Sequence, residues 1–400
     1  MVNNLITTIN LVILAIALAG DHLLTVSIPG LGTIPILDIV VFILAVQGLL
    51  RYYYSQHSVL PLFIWWAYLF IAIAGISLIG SGRWLTLPTI IQSSLFWWRW
   101  IAYFGLVFWV SQLNTHFKQW LINILGMTWA VVAVLGWVQL LVMPNLGFLE
   151  RWGWDPHQSR IVSTFLDPNL LGGFLLLGLA MSLGQLLMAK LSSRQKIYWQ
   201  GLAALLFISI IFTYSRSSLI GLIVLGLFVS RRYWKIVILG LVAIILVFAL
   251  SPRLQERLQG VVTIDDTARY RLESWGKAVN IIKQEPWLGV GYNTLKFSRD
   301  RYDYQPQSHA SSGFDSSLLT IGATTGLLGL AIYLMFLLAT LKWVRQHLVS
   351  VFPGVALAYL MGTGVLFIHS IFVNSWLYSP IMAVGWIMIG LIWINNTSDV

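Results

Sequence analysis

Apolar residues come in long runs, separated by short polar stretches, along most of this chain. Crossing the hydrocarbon core of a membrane takes a helix of roughly 20 mostly apolar residues. The pattern therefore predicts an all-α polytopic integral membrane protein with about 12 transmembrane helices. The predicted spans lie near residues 4–20, 34–50, 60–80, 93–113, 120–142, 168–189, 198–214, 217–230, 234–250, 316–341, 352–371 and 376–394.

The first run, 4–20, has the short apolar core of a signal peptide and carries Ala17-Leu18-Ala19 before Gly20. Residues 1–10 hold no Lys or Arg, so the positively charged segment that opens a signal peptide is missing. We therefore expect this run to remain as a membrane span.

Composition supports lipid as the solvent of this chain. Hydrophobic residues make up 58 % and charged residues 10 %, whereas a soluble domain carries about 25 % charged residues. The net charge of +10 comes from basic residues scattered between apolar runs. We interpret these basic residues as setting the orientation in the membrane and binding anions, rather than as binding nucleic acid. With no cysteine, disulfides, thiolate nucleophiles and cysteine-based metal sites are excluded.

Lys and Arg in short loops predict the orientation, because they collect on the cytoplasmic side. With both termini inside, ten fall in cytoplasmic loops, namely Arg51, Lys118, Lys190, Arg194, Lys196, Arg231, Arg232, Lys235, Lys342 and Arg345. Five fall outside, namely Arg83, Arg99, Arg151, Arg160 and Arg216. Cytoplasmic termini are therefore expected.

This orientation places one long polar segment, 251–315, on the extracytoplasmic side. It contains nine Lys/Arg and eight Asp/Glu, so it is nearly neutral. Within it, Leu272, Trp275, Val279 and Ile282 recur at helical spacing and predict a helix over 267–283. A one-faced helix beside a membrane lies on the interface or roofs a cavity. We therefore divide the chain into transmembrane helices 1–9 (1–250), an extracytoplasmic lid (251–315) and transmembrane helices 10–12 (316–400).

Two arginines stand at the outer ends of spans, where a charge needs an explanation. Arg216 lies in a hydroxyl-rich break between two apolar runs, with Ser215 before it. It is either a snorkelling arginine or an anion ligand. Arg160 precedes the sixth span, where Asp167 and Pro168 can start the helix as its cap and first residue. Capping accounts for neither Arg160 nor Asn169.

The end of the lid carries a carboxylate and an imidazole, Asp315 and His309, close together in sequence. Either could act as a general base at a cavity mouth, but Asp315 or Ser316 could equally cap the next helix. Arg271 stands one helical turn before Trp275 on the predicted lid helix. We interpret His369 as structural and Arg99 as an anchor in the aromatic belt.

Several motifs are missing from the sequence. It contains no phosphate-binding loop for a nucleotide and no evident metal-binding motif, so neither a cofactor nor a metal is expected. Gly289-Val290-Gly291 is too short to indicate a nucleotide site and is expected to turn the chain. Few acidic residues lie near the spans, which argues against proton-coupled transport.

Four stretches together resemble the O-antigen ligase and polymerase family of bacterial membrane glycosyltransferases, over about residues 120–345. They are Arg160-Ile161-Val162-Ser163-Thr164-Phe165-Leu166-Asp167-Pro168-Asn169, Ser215-Arg216-Ser217, Arg271-x-x-x-Trp275 with Pro286-Trp287-Leu288-Gly289-Val290-Gly291, and Asp315-Ser316-Ser317-Leu318-Leu319 with Gly326-Leu327-Leu328-Gly329. Their order and spacing, and the twelve-span layout, agree with that family and imply a GT-C-like fold.

The resemblance implies transfer of a glycan from a polyprenyl (undecaprenyl) pyrophosphate carrier to a glycan, glycolipid or polymer acceptor. The reaction would take place on the extracytoplasmic face of the bacterial cytoplasmic membrane. Arg160, Arg216 and Arg271 would bind the pyrophosphate without a metal, since bidentate arginine suits phosphate oxygens. Asn169 and Ser215 would support them.

One position departs from the family pattern. Ligases of this family usually open the block after the lid with a histidine, and that slot here holds Asp315. Either Asp315 is the base or the lid brings His309 into place. A polymerase of the same family therefore stays open as an alternative. A lipid-linked glycan flippase or exporter, and a channel or receptor scaffold, are the alternatives from other classes.

Overall fold

The fold is taken from a computed structural model, which describes residues 2–29, 32–54, 60–250, 255, 266–298, 300–302 and 313–393. Its helices are α1 Val2–Gly20, α2 Ile36–Tyr54, α3 Leu62–Gly80, α4 Leu87–Ser111, α5 Thr115–Val142, α6 Pro168–Met188, α7 Ser193–Phe212, α8 Arg216–Leu250, α9 Asp266–Gln284, α10 Ser317–Gln346, α11 Pro353–Phe372 and α12 Ser379–Ile392. The all-α architecture predicted from the sequence is confirmed.

One small sheet was not predicted. Strands β1 Thr25–Ile28 and β2 Gly32–Pro35 pair antiparallel, with Val26 opposite Ile34. The hairpin follows α1, at the helix end that the loop charges place outside.

Among the described residues, eight helices are long and apolar enough to cross a membrane: α1, α2, α3, α5, α6, α7, α10 and α11. Large apolar side chains such as Leu141 and Ile79 are exposed on the helix surfaces. Exposed apolar surface of this kind is favourable against lipid and costly against water. The described part of the chain is therefore that of a polytopic membrane protein.

Helix α8 covers two predicted spans, 217–230 and 234–250. A straight helix would carry Gly240 about 36 Å from Arg216. A Cβ atom on Gly240 would instead lie 3.5 Å from Cζ of Phe207, near the end of α7. The chain must therefore turn back within α8. The turn lies at the loop predicted around Arg231 and Arg232, since the apolar helix Arg216–Ser230 ends directly before them.

Polar side chains fix where several helices begin. Asp167 accepts hydrogen bonds from the backbone N–H groups of Asn169 and Leu170 at the start of α6, at 2.7 and 2.8 Å. Ser316 accepts one from Leu319 at the start of α10, at 3.4 Å. Asp167 is therefore the cap that the sequence predicted. At α10 the cap is Ser316, which leaves the Asp315 carboxylate outside the capping arrangement.

Small residues bring α6 and α11 into close contact. A Cβ atom on Gly184 would lie 2.2 Å from the carbonyl oxygen of Gly354, which is far inside van der Waals contact. Close helix approach through small residues is the usual packing mode inside membranes, where lipid supplies little hydrophobic drive.

The lid helix, predicted over 267–283, is α9, and it packs against α10. Of its predicted apolar stripe, Trp275 and Ile282 are half-buried, whereas Leu272 and Val279 are exposed. Ala278 and Ile281 are buried instead, in a cluster with Phe314 and Ala323. The buried stripe is thus rotated from the predicted one, because α9 lies on α10 rather than on a flat surface.

The turn after α9 docks into a break in α10. Gly289 and Gly326 both have positive φ, +64° and +70°. A Cβ on Gly326 would lie 2.2 Å from the Trp287 carbonyl oxygen, so a side chain there is excluded. Val290 N–H donates to the Ala323 carbonyl at 3.0 Å, and Leu327 N–H to the Pro286 carbonyl at 2.7 Å. This contact holds the lid on α10.

Candidate functional site

A cavity of about 1570 Å³ opens at one end of the helix bundle. It is lined by the loop after α1, the hairpin, the middle of α4, the 152–170 connection, the lid and the α11–α12 connection. Its ionisable and amide side chains are Asp21, His22, Arg99, Asp155, His157, Asp167, Asn169, Arg271, Asn293, Asp315 and Asn374.

The lining segments share one side of the bundle. The predicted topology places each of them at the extracytoplasmic end of its helix. Arg271 on the lid and Asn169 at the start of α6 line the same cavity, so both lie at the same end of the bundle. That this end is extracytoplasmic stays a prediction from the loop charges.

Asp315 and Arg271 form the lid side of this cavity. Trp275 Nε1 donates to the backbone carbonyl of Asp315 at 3.4 Å, which ties the lid helix to the start of α10. The guanidinium carbon of Arg271 lies 6.0 Å from the centre of the Phe372 ring. Burial raises the pKa of the Asp315 carboxyl above its ordinary value, the Arg271 charge opposes this rise, and Asp155 adds to it.

Asn169 and Ser215, the two predicted supporting residues, are in contact. Ser215 Oγ donates to Asn169 Oδ1 at 2.8 Å, across α6 and the turn before α8. Next to them, burial raises the pKa of Asp167, while the N–H groups of Leu170 and Asn169 and the charge of Arg160 oppose the rise. Asn169 lines the cavity, whereas Ser215 lies buried behind it.

Arg160 and Arg216 lie behind the cavity wall. Among the described residues, the lining includes Arg271 but neither Arg160 nor Arg216. Arg160 is buried, and its Nε donates to the Thr213 carbonyl at 2.8 Å. Arg216 is half-buried and begins α8 directly after Ser215. Both therefore meet at the α7–α8 turn. Only Arg271 of the predicted trio reaches the lining. The other predicted base, His309, lies outside the described residues.

The structure adds polar groups that the sequence did not link to the site. Arg99, read as an aromatic-belt anchor, donates from Nε to Asp38 at 2.8 Å and also lies over the Phe96 ring. Tyr103 donates to the other oxygen of Asp38 at 2.8 Å. Tyr378 donates to Asp21. The sequence signal for these contacts was the presence of acidic residues near the first spans. Their partners belong to helices that lie far away in the sequence.

Within the described ranges, no group of three or more His, Cys, Asp or Glu side chains is arranged to hold a metal ion.

Residues 201–334 match the family model described as O-antigen ligase. The resemblance to the O-antigen ligase family is confirmed. The matched stretch runs from α7 through the lid to α10 and contains Ser215, Arg216, Arg271 and Asp315, whereas Arg160 and Asn169 precede it. A search of the curated proteins finds no match. The match supports an enzyme of the O-antigen ligase or polymerase type, and with the eight apolar helices it supports a protein of the bacterial inner membrane.

Proposed function

We propose that this protein transfers a glycan from a polyprenyl pyrophosphate carrier to an acceptor hydroxyl inside the outer cavity. The observation that carries the proposal is the pairing of Arg271 and Asp315 on one cavity wall, within a segment that matches the O-antigen ligase family. A cation for the leaving group and a carboxylate for the proton are the two groups this reaction requires.

The reaction is an inverting displacement at the anomeric carbon. The acceptor oxygen forms a bond to that carbon, and the bond to the carrier phosphate oxygen breaks. The pyrophosphate leaves on the lipid, and the acceptor proton passes to Asp315. Arg271 stabilises the charge that develops on the leaving oxygen, as a preorganised donor does in an oxyanion hole. Arg160 and Arg216 complete the positive surroundings from the α7–α8 turn.

The alternatives differ in acceptor or in chemistry. A ligase passes the glycan to a glycolipid or other acceptor, and a polymerase passes it to another carrier-linked chain. A flippase would need charged residues along a path through the bilayer centre, whereas the described charges of the cavity lie at one end of the helix bundle.

Reconstitution tests the proposal directly. Purified protein in vesicles is incubated with an undecaprenyl pyrophosphate glycan, once alone and once with glycolipid acceptors. A longer carrier-linked chain in the first reaction indicates a polymerase, and a glycosylated acceptor in the second indicates a ligase. Intact donor in both reactions would reject the transferase.

Catalysis is expected to survive a strong chelator, because arginines rather than a divalent cation neutralise the pyrophosphate. Glycan transfer is measured with and without chelator, and then after adding magnesium or manganese. A loss of transfer that either ion restores would show that the arginine-only account is wrong.

The lid is expected to face the extracytoplasmic side. The chain has no native cysteine, so single cysteines can be placed freely. In intact cells, an impermeant thiol reagent should label Lys283→Cys on exposed α9. It should not label Val349→Cys, which is 96 % exposed in the predicted cytoplasmic loop after α10. The reverse pattern would invert the topology.

A further inference from the structure

His369 is a fully buried imidazole near the end of α11, and hydroxyl groups contact both of its ring nitrogens. Its Nδ1 lies 2.7 Å from Ser375 Oγ. Its Nε2 lies 3.2 Å from the hydroxyl oxygens of Ser217 and Ser218, in the first turn of α8. The ring therefore joins α8 to the α11–α12 connection.

The contacts continue from His369 to the cavity on two sides. Ser217 Oγ lies 3.0 Å from Ser215 Oγ, which donates to Asn169 Oδ1 at 2.8 Å. Asn169 lines the cavity. On the other side, Ser375 follows Val373 and Asn374, and both of these line the cavity too. One buried imidazole thus connects two separate parts of the cavity wall.

A direction can be assigned to the hydrogen bonds that run from Ser375 through His369 and the serines of α8 to Asn169. Ser375 Oγ donates to the Val373 carbonyl at 3.4 Å, so it can accept from His369 Nδ1–H. Nε2 of the neutral ring is then an acceptor for Ser218 Oγ–H. Ser217 is left to donate a hydrogen bond to Ser215 Oγ, and Ser215 donates its own to Asn169 Oδ1. A neutral histidine with the proton on Nδ1 then donates to Ser375 and accepts from Ser218, while Ser217 Oγ packs 3.2 Å from Nε2 without a shared proton.

Packing alone gives no reason for an imidazole here. A ring nitrogen buried among membrane helices is costly unless it is hydrogen-bonded, and an apolar ring would fill the same space between α6, α8 and α11. The ring is also tightly enclosed, since a Cβ atom on Gly173 would lie 3.2 Å from its Cε1. The polar contacts set the position of the α8 start, where Arg216 lies between Ser215 and Ser217.

We propose that His369 is a positioning residue for pyrophosphate binding, acting through Arg216 and Asn169. It fixes the first turn of α8 against the α11–α12 connection, so that the charge of Arg216 behind the cavity wall keeps its position relative to the carrier phosphates. The inference rests on the proposed function. It adds a residue that itself stays out of reach of the substrate.

The test compares binding of undecaprenyl pyrophosphate by purified wild-type and variant proteins. His369→Phe keeps a ring and loses all three hydroxyl contacts. It should weaken binding by about 10-fold to 100-fold, because small displacements of a positioned group have effects of that size. His369→Asn places a polar atom near Nδ1 and His369→Gln places one near Nε2. Gln should restore more binding than Asn, because the Nε2 side carries the α8 contacts.

Coupling to Arg216 separates positioning from a general effect on stability. If His369 acts through Arg216, His369→Phe should have little further effect on binding in an Arg216→Lys background. Additive losses would overturn the inference. His347→Phe is the matched control, because that imidazole contacts the Trp343 carbonyl at 2.8 Å after α10, away from the cavity. It should bind like wild type.

The remaining outcomes are also decisive. Wild-type binding in His369→Phe would overturn the inference. If that variant fails to fold, Ser375→Ala and Ser217→Ala remove one contact each, and unchanged binding in both would overturn it. Wild-type protein that binds the carrier but transfers no glycan rejects the proposed function alone, and the binding comparison still decides the role of His369. Wild-type protein that does not bind the carrier overturns both.

Discussion

Arg216→Lys or Arg271→Lys should each lower turnover by about 100-fold, the cost of losing one preorganised donor to a developing oxyanion. Lysine keeps the charge but lacks the planar fork that contacts two phosphate oxygens at once. Arg271 lines the cavity beside Asp315, and Arg216 begins α8 in the turn that Arg160 also contacts. Initial rates of glycan transfer at saturating acceptor measure the effect.

Arg194→Lys is the control for both substitutions. Arg194 is exposed at the start of α7, the end that the loop charges place in the cytoplasm. It should keep wild-type turnover. Near-normal rates in Arg216→Lys and Arg271→Lys would show that neither side chain needs its fork, and the pyrophosphate would then have to bind elsewhere.

The helices could be predicted because each is a local property of the sequence. The apolar runs predicted where the helices lie, although eight of the described helices, rather than twelve, are long and apolar enough to span a membrane. Helical spacing predicted α9 to within a residue or two of its observed bounds. The hairpin was missed, since strands of four residues leave too short a pattern to detect. The buried face of α9 was partly mispredicted, because it depends on the shape of α10 and not on α9 itself.

Candidate site residues could be proposed from short sequence motifs, whereas most of the contacts between motifs depend on the fold. Asn169 and Ser215 were expected to support the same site, and the structure places them 2.8 Å apart. Asp38 and Arg99 could not be paired in advance, because the contact joins α2 to α4 and no spacing rule connects them. His369 was read as structural for the same reason. Its hydroxyl partners come from α8 and from the connection after α11.

Asp315→Asn is expected to nearly abolish turnover in a well-folded protein. The amide keeps the size and hydrogen-bonding capacity of the carboxylate but cannot take a proton from the acceptor hydroxyl. Capping does not confuse the result, because Ser316 caps α10. Ser316→Ala should therefore show the opposite behaviour, with stability lower by about 1 kcal/mol and turnover retained. Turnover and thermal unfolding of both variants separate the two roles.

The pH dependence of transfer gives the same prediction a second measurement. A base works only when deprotonated, so turnover should fall as the pH drops through the pKa of Asp315. Burial raises that pKa, and Asp155 adds to the rise while Arg271 opposes it. The acid limb should thus lie above the ordinary carboxyl range near 4 and be absent from the residual activity of Asp315→Asn. If Asp315→Asn is active and His309→Ala is inactive, His309 is the base. If both variants are active, no general base of this kind operates and the acceptor hydroxyl must lose its proton to another group.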